Sequence, residues 1–360
     1  MKRRQFIHKL GAGSVAAGAT LAVPRVAMAR KRFCWKMVTA WPKNFPGLGT
    51  SANRLAERIT EMSGGRIHVK VYGAKELVPA FETFDAVSRG TAQMGHAGAY
   101  YWKGKGEVFQ FFSALPFGLT AQEVDAWLYY GGGMDLWREL YARFDLIPTA
   151  AGNTGAQMAG WFRKEIHSLD DLKGLKMRIP GIGGEVLKRA GGTPVNIPGG
   201  ELFTALQSGA IDATEWVGPY NDLAFGLYKA AKNYYYPGWH EPGSVIECFI
   251  HKPAFEELPQ DLRQIVLTAC QAANLDMLSE LTARNQQALE TLVRDHGVQV
   301  RPLPDDVLKK LKTLSLEVVE EIAGKDPFAR KVYDSLNRFR SQVSAWSGIA
   351  EQAFMRARGL

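Results

Sequence analysis

The strongest constraint on the fold is one uninterrupted helical run. After Pro259 the helical spacing of apolar residues continues to His296 without a Pro or Gly, and Gly297 ends it. A run of about 38 residues is ~57 Å long at 1.5 Å per residue. That exceeds one small lobe, so the helix is expected to brace two. The length of 360 residues also favours two domains over one.

The rest of the chain reads as α/β. Phe33–Thr39 is a short apolar strand, and Leu48, Ala52, Leu55, Ala56, Ile59 and Met62 follow at helical spacing. Ser63-Gly64-Gly65 stops that helix, and Ile67–Val71 alternates as a strand. A β–α–β order implies a parallel sheet. A second helix passes through Phe81, Phe84, Ala86 and Val87, and a strand follows at Ala92–Ala97. The segment Ala86–Gln93 recurs at Ala205–Asp212: a helix end, a glycine and a strand entry. The separation is too long for a solenoid period and suggests two similar lobes.

The second copy lies in a fuller series. Strands are expected at Ala156–Phe162, Lys176–Ile179, Pro194–Ile197 and Ile211–Val217, with helices at Gly184–Ala190 and Gly200–Ser208. Val245–Ile250 reads as a strand leading back to the first lobe. A strand at Gly297–Arg301 and helices at Asp305–Ala323 and Phe328–Arg358 complete the chain. The last carries Val332, Leu336, Phe339, Val343 and Trp346 on one stripe, which needs a partner.

Arg178 stands at the C-terminal end of a strand, just before Pro180-Gly181. In open α/β sheets that end faces the ligand crevice. A guanidinium there fits a carboxylate bidentately, or pairs with a nearby acid on the surface. Other polar residues gather at strand ends: Asn153 and Gln157, Glu215 with Trp216, and His240-Glu241 after the aromatic run Tyr234–Trp239. The first lobe offers His96, Tyr100, Tyr101 and Trp102, with His96 matching Glu215 through the repeat. An arginine, acids, amides and aromatics thus converge on one cleft.

The first residues read as an export signal. Arg3-Arg4 precede Phe6-Ile7, a weakly apolar stretch follows, and Ala27-Met28-Ala29 is a small-x-small cleavage site. Residues 1–29 fit a twin-arginine signal, or an ordinary secretory one, and both lead to the bacterial periplasm. They hold five bases and no acid, so the remainder carries 39 bases against 36 acids. With no basic run interleaved with aromatics, nucleic acid is not an expected partner. Cys34, Cys248 and Cys270 read as small core residues allowing at most one disulfide. Gly181-Ile182-Gly183-Gly184 with Glu201 twenty residues on is a partial dinucleotide fingerprint that lacks its third glycine. It leaves an exported oxidoreductase as the alternative reading.

Four segments carry a more specific resemblance: Gly152–Met158 with Gly160–Arg163, Gly174–Arg178, Ile211–Tyr220 and Tyr234–Trp239. They resemble the 2-oxo-acid and lactate branch of the solute-binding proteins of TRAP (tripartite ATP-independent periplasmic) transporters, over nearly the whole mature chain. Asn233 departs from a tyrosine found in related sequences. The resemblance implies a non-catalytic, two-lobed α/β periplasmic binding protein fold closing over a small 2-oxo or 2-hydroxy monocarboxylate. It implies that Arg178 clamps the carboxylate, with Asn153, Gln157, Tyr100 and Tyr101 around the substrate. It further implies a Na⁺ or Ca²⁺ ion beside the substrate, held by Gln157, Glu215, the Trp216 carbonyl and Glu241. TRAP membrane subunits and a homodimer through the C-terminal helix are the implied partners. The expected division is residues 30–152 with 242–275 in lobe I, 153–241 with 276–325 in lobe II, and a tail at 326–360.

Overall fold

The computed structural model describes residues 31–360. The expected export signal lies outside them. Among the described residues, eleven strands form two sheets. The first contains β1 (Phe33–Thr39), β2 (Ile67–Tyr72), β3 (Met94–Ala97), β4 (Leu146–Asn153) and β10 (Val245–His251), in the order β2-β1-β3-β10-β4. β1, β2 and β3 are parallel, and β10 runs antiparallel between β3 and β4. The second contains β5 (Gly160–Phe162), β6 (Lys176–Arg178), β7 (Thr193–Val195), β8 (Ala213–Thr214), β9 (Asn233–Tyr236) and β11 (Gln299–Pro302), in the order β11-β9-β5-β8-β6-β7.

The helices are α1 (Leu48–Met62), α2 (Thr83–Ser88), α3 (Ala121–Tyr130), α4 (Gly133–Ala142), α5 (Gly181–Arg189), α6 (Leu202–Ser208), α7 (Pro219–Phe225) and α8 (Lys252–Glu256). Then follow α9 (Gln260–His296), α10 (Asp305–Gly324), α11 (Pro327–Ile349) and α12 (Glu351–Arg358). None is long and apolar enough to cross a membrane. The two sheets with their helices form the two-lobed α/β fold expected of the sequence. The long helix α9 has 37 residues. Its first half buries Leu262, Val266, Ala269 and Ala273 against Phe33, Trp35 and Leu55, and its second half buries Leu281 and Leu292 in the larger core. It packs on β4, α1 and α7 and so ties both sheets together.

The repeat is real at the level of hydrogen bonds. Ala92 N–H donates to the Ala86 carbonyl, and Ile211 N–H donates to Ala205, both at 3.3 Å. Gly90 (φ +74°) and Gly209 (φ +76°) make the two left-handed turns.

Several local expectations change. β4 lies where no element is expected, and β5 is shorter than the expected Ala156–Phe162. Residues 154–159 instead cross between sheets. β8 holds only Ala213-Thr214, so Glu215 and Trp216 leave the strand rather than end it. The first three residues of the aromatic run belong to strand β9 (Asn233–Tyr236), with Tyr234 and Tyr235 buried in the core. The expected single C-terminal helix breaks at Ala350 (φ −99°, ψ −99°). All three cysteines are free, and Cys34 is exposed rather than part of the core.

The chain crosses between sheets three times: between β4 and β5, between β9 and β10, and along α9. The two short crossings lie side by side. Gln157 N–H donates to the Glu241 carbonyl at 3.2 Å, and Gly238 N–H donates to Gln157 at 2.9 Å. A Cβ on Gly238 would lie 2.3 Å from the Gln157 carbonyl oxygen, so this approach requires glycine.

Candidate functional site

Arg178 ends β6, where β7 and β8 flank it in parallel register. It is fully buried. Its Nε donates to the Ile197 carbonyl at 3.1 Å, one terminal nitrogen donates to Glu215 Oε1, and the other lies 3.4 Å from the Tyr101 hydroxyl. The guanidinium carbon sits 5.1 Å from the Trp216 ring centre. Burial pulls its pKa down, but Glu215 and the two tyrosine hydroxyls more than offset this, so the group stays charged. The surface ion-pair reading of Arg178 is thereby corrected: its partner is an acid, and both are buried.

Glu215 leaves β8 directly beside Arg178, its N–H donating to the Arg178 carbonyl at 3.2 Å. Its second oxygen is 3.4 Å from His240 Nε2. Glu241 lies on the second crossing and accepts from Gln157 Nε2 at 2.8 Å; the same nitrogen donates to Thr154 Oγ1 at 2.9 Å. Burial and the neighbouring Glu215 push Glu241 up to about 7. Donor atoms of Glu215, His240 and Glu241 lie within 4.8 Å of one another. Asn153 closes β4 with its Oδ1 accepting from Gly155 N–H at 2.9 Å. Tyr100 lines a small cavity with Gly181, Gly183, His240 and Glu241. Burial pushes both tyrosine hydroxyls up, keeping them neutral.

The fold thus gathers Arg178, Gln157, Asn153, Tyr100, Tyr101, Glu215, Trp216 and Glu241 into one buried neighbourhood, drawn from both sheets and both short crossings. His240, noticed beside Glu241 in sequence, joins them. Thr154 joins through its bond from Gln157 Nε2, a contact that spacing and composition do not announce. His96 does not join the polar cluster. It accepts from Trp41 Nε1 at 2.8 Å within the first lobe, and burial lowers its pKa to about 4. Of the aromatic run, Tyr234 donates to Asp222 and Tyr235 bonds the Ile166 backbone, so both are structural.

Four buried polar atoms of this neighbourhood have no hydrogen-bond partner among the described residues: Gln157 Oε1, Asn153 Nδ2, His240 Nδ1 and Trp216 Nε1. Such atoms are costly unless something binds them. The oxygens are also of the right kind for a hard cation. Two carboxylates, the unpaired Gln157 Oε1 and the Trp216 carbonyl match the donor chemistry of Ca²⁺ or Na⁺ rather than that of Zn²⁺. Arg178 balances only one of the two acids, so the donor set and the local charge both fit a cation.

The dinucleotide reading fails on geometry. Glu201, its required acid, points instead to the surface and pairs with Lys75 at 2.8 Å. The Gly181 turn opens α5 against Tyr100 and His240.

Comparison with known proteins agrees with the site. Residues 37–326 match the bacterial extracellular solute-binding protein family 7. A monocarboxylate 2-oxoacid-binding periplasmic protein of a Nostoc species is 44% identical over 320 residues, 89% of this chain and 87% of that protein. The TRAP periplasmic solute-binding protein of Colwellia psychrerythraea, solved with bound calcium and pyruvate, has 43% identity and a TM-score of 0.88, covering 91% of this chain and all of its own (100%). Its counterpart from Pseudoalteromonas atlantica, solved with sodium and pyruvate, has 42% identity and the same TM-score of 0.88 over 91% of this chain and 99% of its own. With a buried arginine at a strand end, oxygen donors around it and this match along most of its length, the chain belongs to the family 7 extracellular solute-binding proteins, the substrate receptors of TRAP transporters.

Proposed function

We propose that this protein captures a small 2-oxo or 2-hydroxy monocarboxylate, of the pyruvate or lactate type, together with a Ca²⁺ or Na⁺ ion, and delivers it in the periplasm to TRAP membrane subunits without turning it over. The observation that carries this reading is Arg178: a fully buried guanidinium at a strand end, engaged by one acid and surrounded by unpartnered polar atoms.

In this reading the substrate carboxylate takes guanidinium N–H groups that now serve Glu215 and Tyr101. Asn153 Nδ2, Gln157, Tyr100 and Tyr101 surround it. Glu215 and Glu241, no longer balanced by Arg178 alone, then face a cation together with Gln157 Oε1 and the Trp216 carbonyl. The cation supplies positive charge and an anchor for the oxygen at C2 of the acid. Charge counting supports Ca²⁺ over Na⁺. Two carboxylates, the substrate and one arginine leave −2 in a closed cleft, and uncompensated buried charge costs several kcal/mol per ion. The rise of the Glu241 pKa to about 7 narrows that preference, because a proton is the other way to remove charge.

We divide this receptor into lobes of residues 30–152 with 242–275 and 153–241 with 276–325; the sheet membership of the strands supports the division except at Asn153, which ends β4 of the first sheet. The tail 326–360 joins two copies. The test is calorimetry with pyruvate and lactate after exhaustive chelation, in sodium-free buffer, with each ion added back separately. Binding that needs an ion and shows no turnover supports the reading; full affinity with neither ion removes the cation from it. Mass spectrometry of the ligand retained through native purification identifies the acid.

A further inference from the structure

We infer that Asp222 is a positioning residue for the cation, acting through the single peptide that carries the Trp216 carbonyl; the inference rests on the function proposed above. Asp222 lies in α7 and is buried. Its Oδ1 accepts from the Val217 N–H at 3.3 Å. Its Oδ2 accepts from Trp161 Nε1 at 2.9 Å and from the Tyr234 hydroxyl at 2.7 Å. Trp161 and Tyr234 are cross-strand partners on β5 and β9, with rings stacked 4.0 Å apart. The carboxylate is therefore held by two adjacent strands of the second sheet.

The Val217 N–H and the Trp216 C=O belong to one planar peptide. The one cis bond among the described residues is Tyr236–Pro237, so this peptide is trans. In a trans peptide the N–H and C=O point in opposite directions. An acceptor fixed on the N–H side consequently turns the carbonyl away from Asp222. The backbone on either side is pinned as well. Glu215 N–H donates to the Arg178 carbonyl at 3.2 Å, the Glu215 carbonyl accepts from Thr214 Oγ1 at 2.9 Å, and the Val217 carbonyl accepts from Met158 N–H at 3.1 Å. Among the described residues no donor reaches the Trp216 carbonyl. Buried carbonyls are rarely left so. The peptide is thus held by its N–H end while its oxygen stays free.

The identity of residue 222 fits this task. It faces three donors: an indole N–H, a phenol O–H and a backbone N–H. A carboxylate accepts all three, whereas an asparagine in the same place turns its own N–H₂ group toward donors. Burial of an acid is costly, and here the three donors offset that cost.

The experiment is a Ca²⁺ titration at fixed pyruvate, by calorimetry, on chelated wild-type protein and on Asp222→Ala, Asp222→Asn, Trp161→Phe and Tyr234→Phe. Asp222→Ala removes the acceptor and should raise the Ca²⁺ midpoint about tenfold or more, with pyruvate affinity recovered at saturating Ca²⁺. Asp222→Asn keeps an oxygen for Val217 and should recover most of the midpoint. Trp161→Phe and Tyr234→Phe leave the Oδ1 bond intact. They should lower the melting temperature while holding the midpoint within about twofold, which a purely structural Asp222 would not produce. An unchanged midpoint in Asp222→Ala, or an equal shift in Trp161→Phe, overturns the inference. Should Asp222→Ala fail to fold, a crystal structure of the wild type with Ca²⁺ and pyruvate decides. The Trp216 oxygen should lie at ~2.3–2.6 Å from the ion with the Asp222–Val217 bond kept, and a carbonyl turned away overturns it. Wild-type protein that binds pyruvate equally without ions would remove the cation from the proposed function, and this role with it.

Discussion

Two buried acids, Glu241 and Glu247, stand six residues apart and live under different rules. Glu247 lies in β10, fully buried, and both its oxygens are used: Oε1 accepts from Trp102 Nε1 at 2.6 Å and Oε2 from the Tyr141 hydroxyl. No partnerless polar atom belongs to it or to Tyr141. Glu241 lies on the crossing before β10, beside a second acid, an arginine, and Gln157 and His240 with unpaired atoms. Burial raises both carboxyls, to about 8 for Glu247 and about 7 for Glu241. A raised acid in the core is therefore no mark of a site. What separates the two is whether the surroundings are satisfied. Glu247 and its two donors satisfy one another, although Trp137 Nε1 beside Tyr141 lacks a partner, while Glu241 belongs to a group in which several atoms still have bonds to make.

The comparison is broken most forcefully at Arg178. Arg178→Ala leaves Glu215 and any bound carboxylate buried without their partner, and breaking a buried pair costs about 3–5 kcal/mol. Pyruvate affinity by calorimetry should fall by about a hundredfold or more. Arg178→Lys should recover only part of it, since an ammonium cannot reach Ile197, Glu215 and Tyr101 with a planar fork. Wild-type affinity in Arg178→Ala would refute the clamp.

A direct contrast comes from neutralising each acid. Glu241→Gln removes a charge and turns an N–H₂ group toward Gln157 Nε2. The ion concentration needed for half-maximal pyruvate binding should rise about tenfold, or ~1.4 kcal/mol. Glu247→Gln should leave that concentration unchanged. Equal responses would erase the distinction drawn between the two networks.

The parts of this contrast differ in how legible they are in sequence. β1, α1 and α9 have strong periodicity and clear punctuation, and their bounds follow from it. β4 does not alternate; it is buried along nearly its whole length and rich in small residues, so no period-2 signal exists. α3 is not among the elements expected of the sequence, although Thr120 N–H donates to Glu123 at 2.9 Å in the manner of a capping box. Arg178 and Glu215 follow from strand-end logic. Asp222 does not, because its role depends on Trp161 and Tyr234 being brought beside it by strands far apart in sequence. The unpaired state of Gln157 Oε1 is likewise a property of packing, with no trace in composition or spacing.

Glu247 also sharpens the contrast through pH. Its ordinary carboxyl value is 4.5, and burial raises it to about 8 in the fold. Between these values the folded state binds more protons than the unfolded one, so stability falls as pH rises. The contribution is full below about 4.5 and is lost as pH climbs to about 8. Asp222, raised to about 7, acts in the same direction. His96, lowered to about 4, opposes them below its ordinary 6.5. Melting temperature should therefore drop between pH 6.5 and 8, and Glu247→Gln should flatten that drop without touching ligand affinity. A pH profile identical to wild type would show that the carboxyl titrates alike in both states.

The smallest expected effect on binding lies farthest from the cleft, in the tail. The apolar stripe of α11 divides in two. Val332, Tyr333 and Leu336 are buried in the same chain, and Phe339 and Val343 pack beside them. Trp346 is 62% exposed, Ile349 74%, Phe354 64% and Met355 59%. Removing residues 326–360 would open the protein's own core, where Tyr333 lies 6.0 Å from Phe111, ring centre to ring centre. Such a deletion confounds folding with assembly. Removing 345–360 spares that core and deletes all four exposed side chains, at the cost of the Ser347–Glu123 hydrogen bond. Exposed apolar side chains gathered on one terminal segment mark an interaction surface. If a second copy covers them, light scattering should give a dimer for the full chain and a monomer for the truncated one, with pyruvate affinity preserved. A full-length monomer, or an unchanged mass after truncation, assigns these side chains to something other than self-association. Lost affinity in a well-folded monomer would mean that the second copy shapes the cleft.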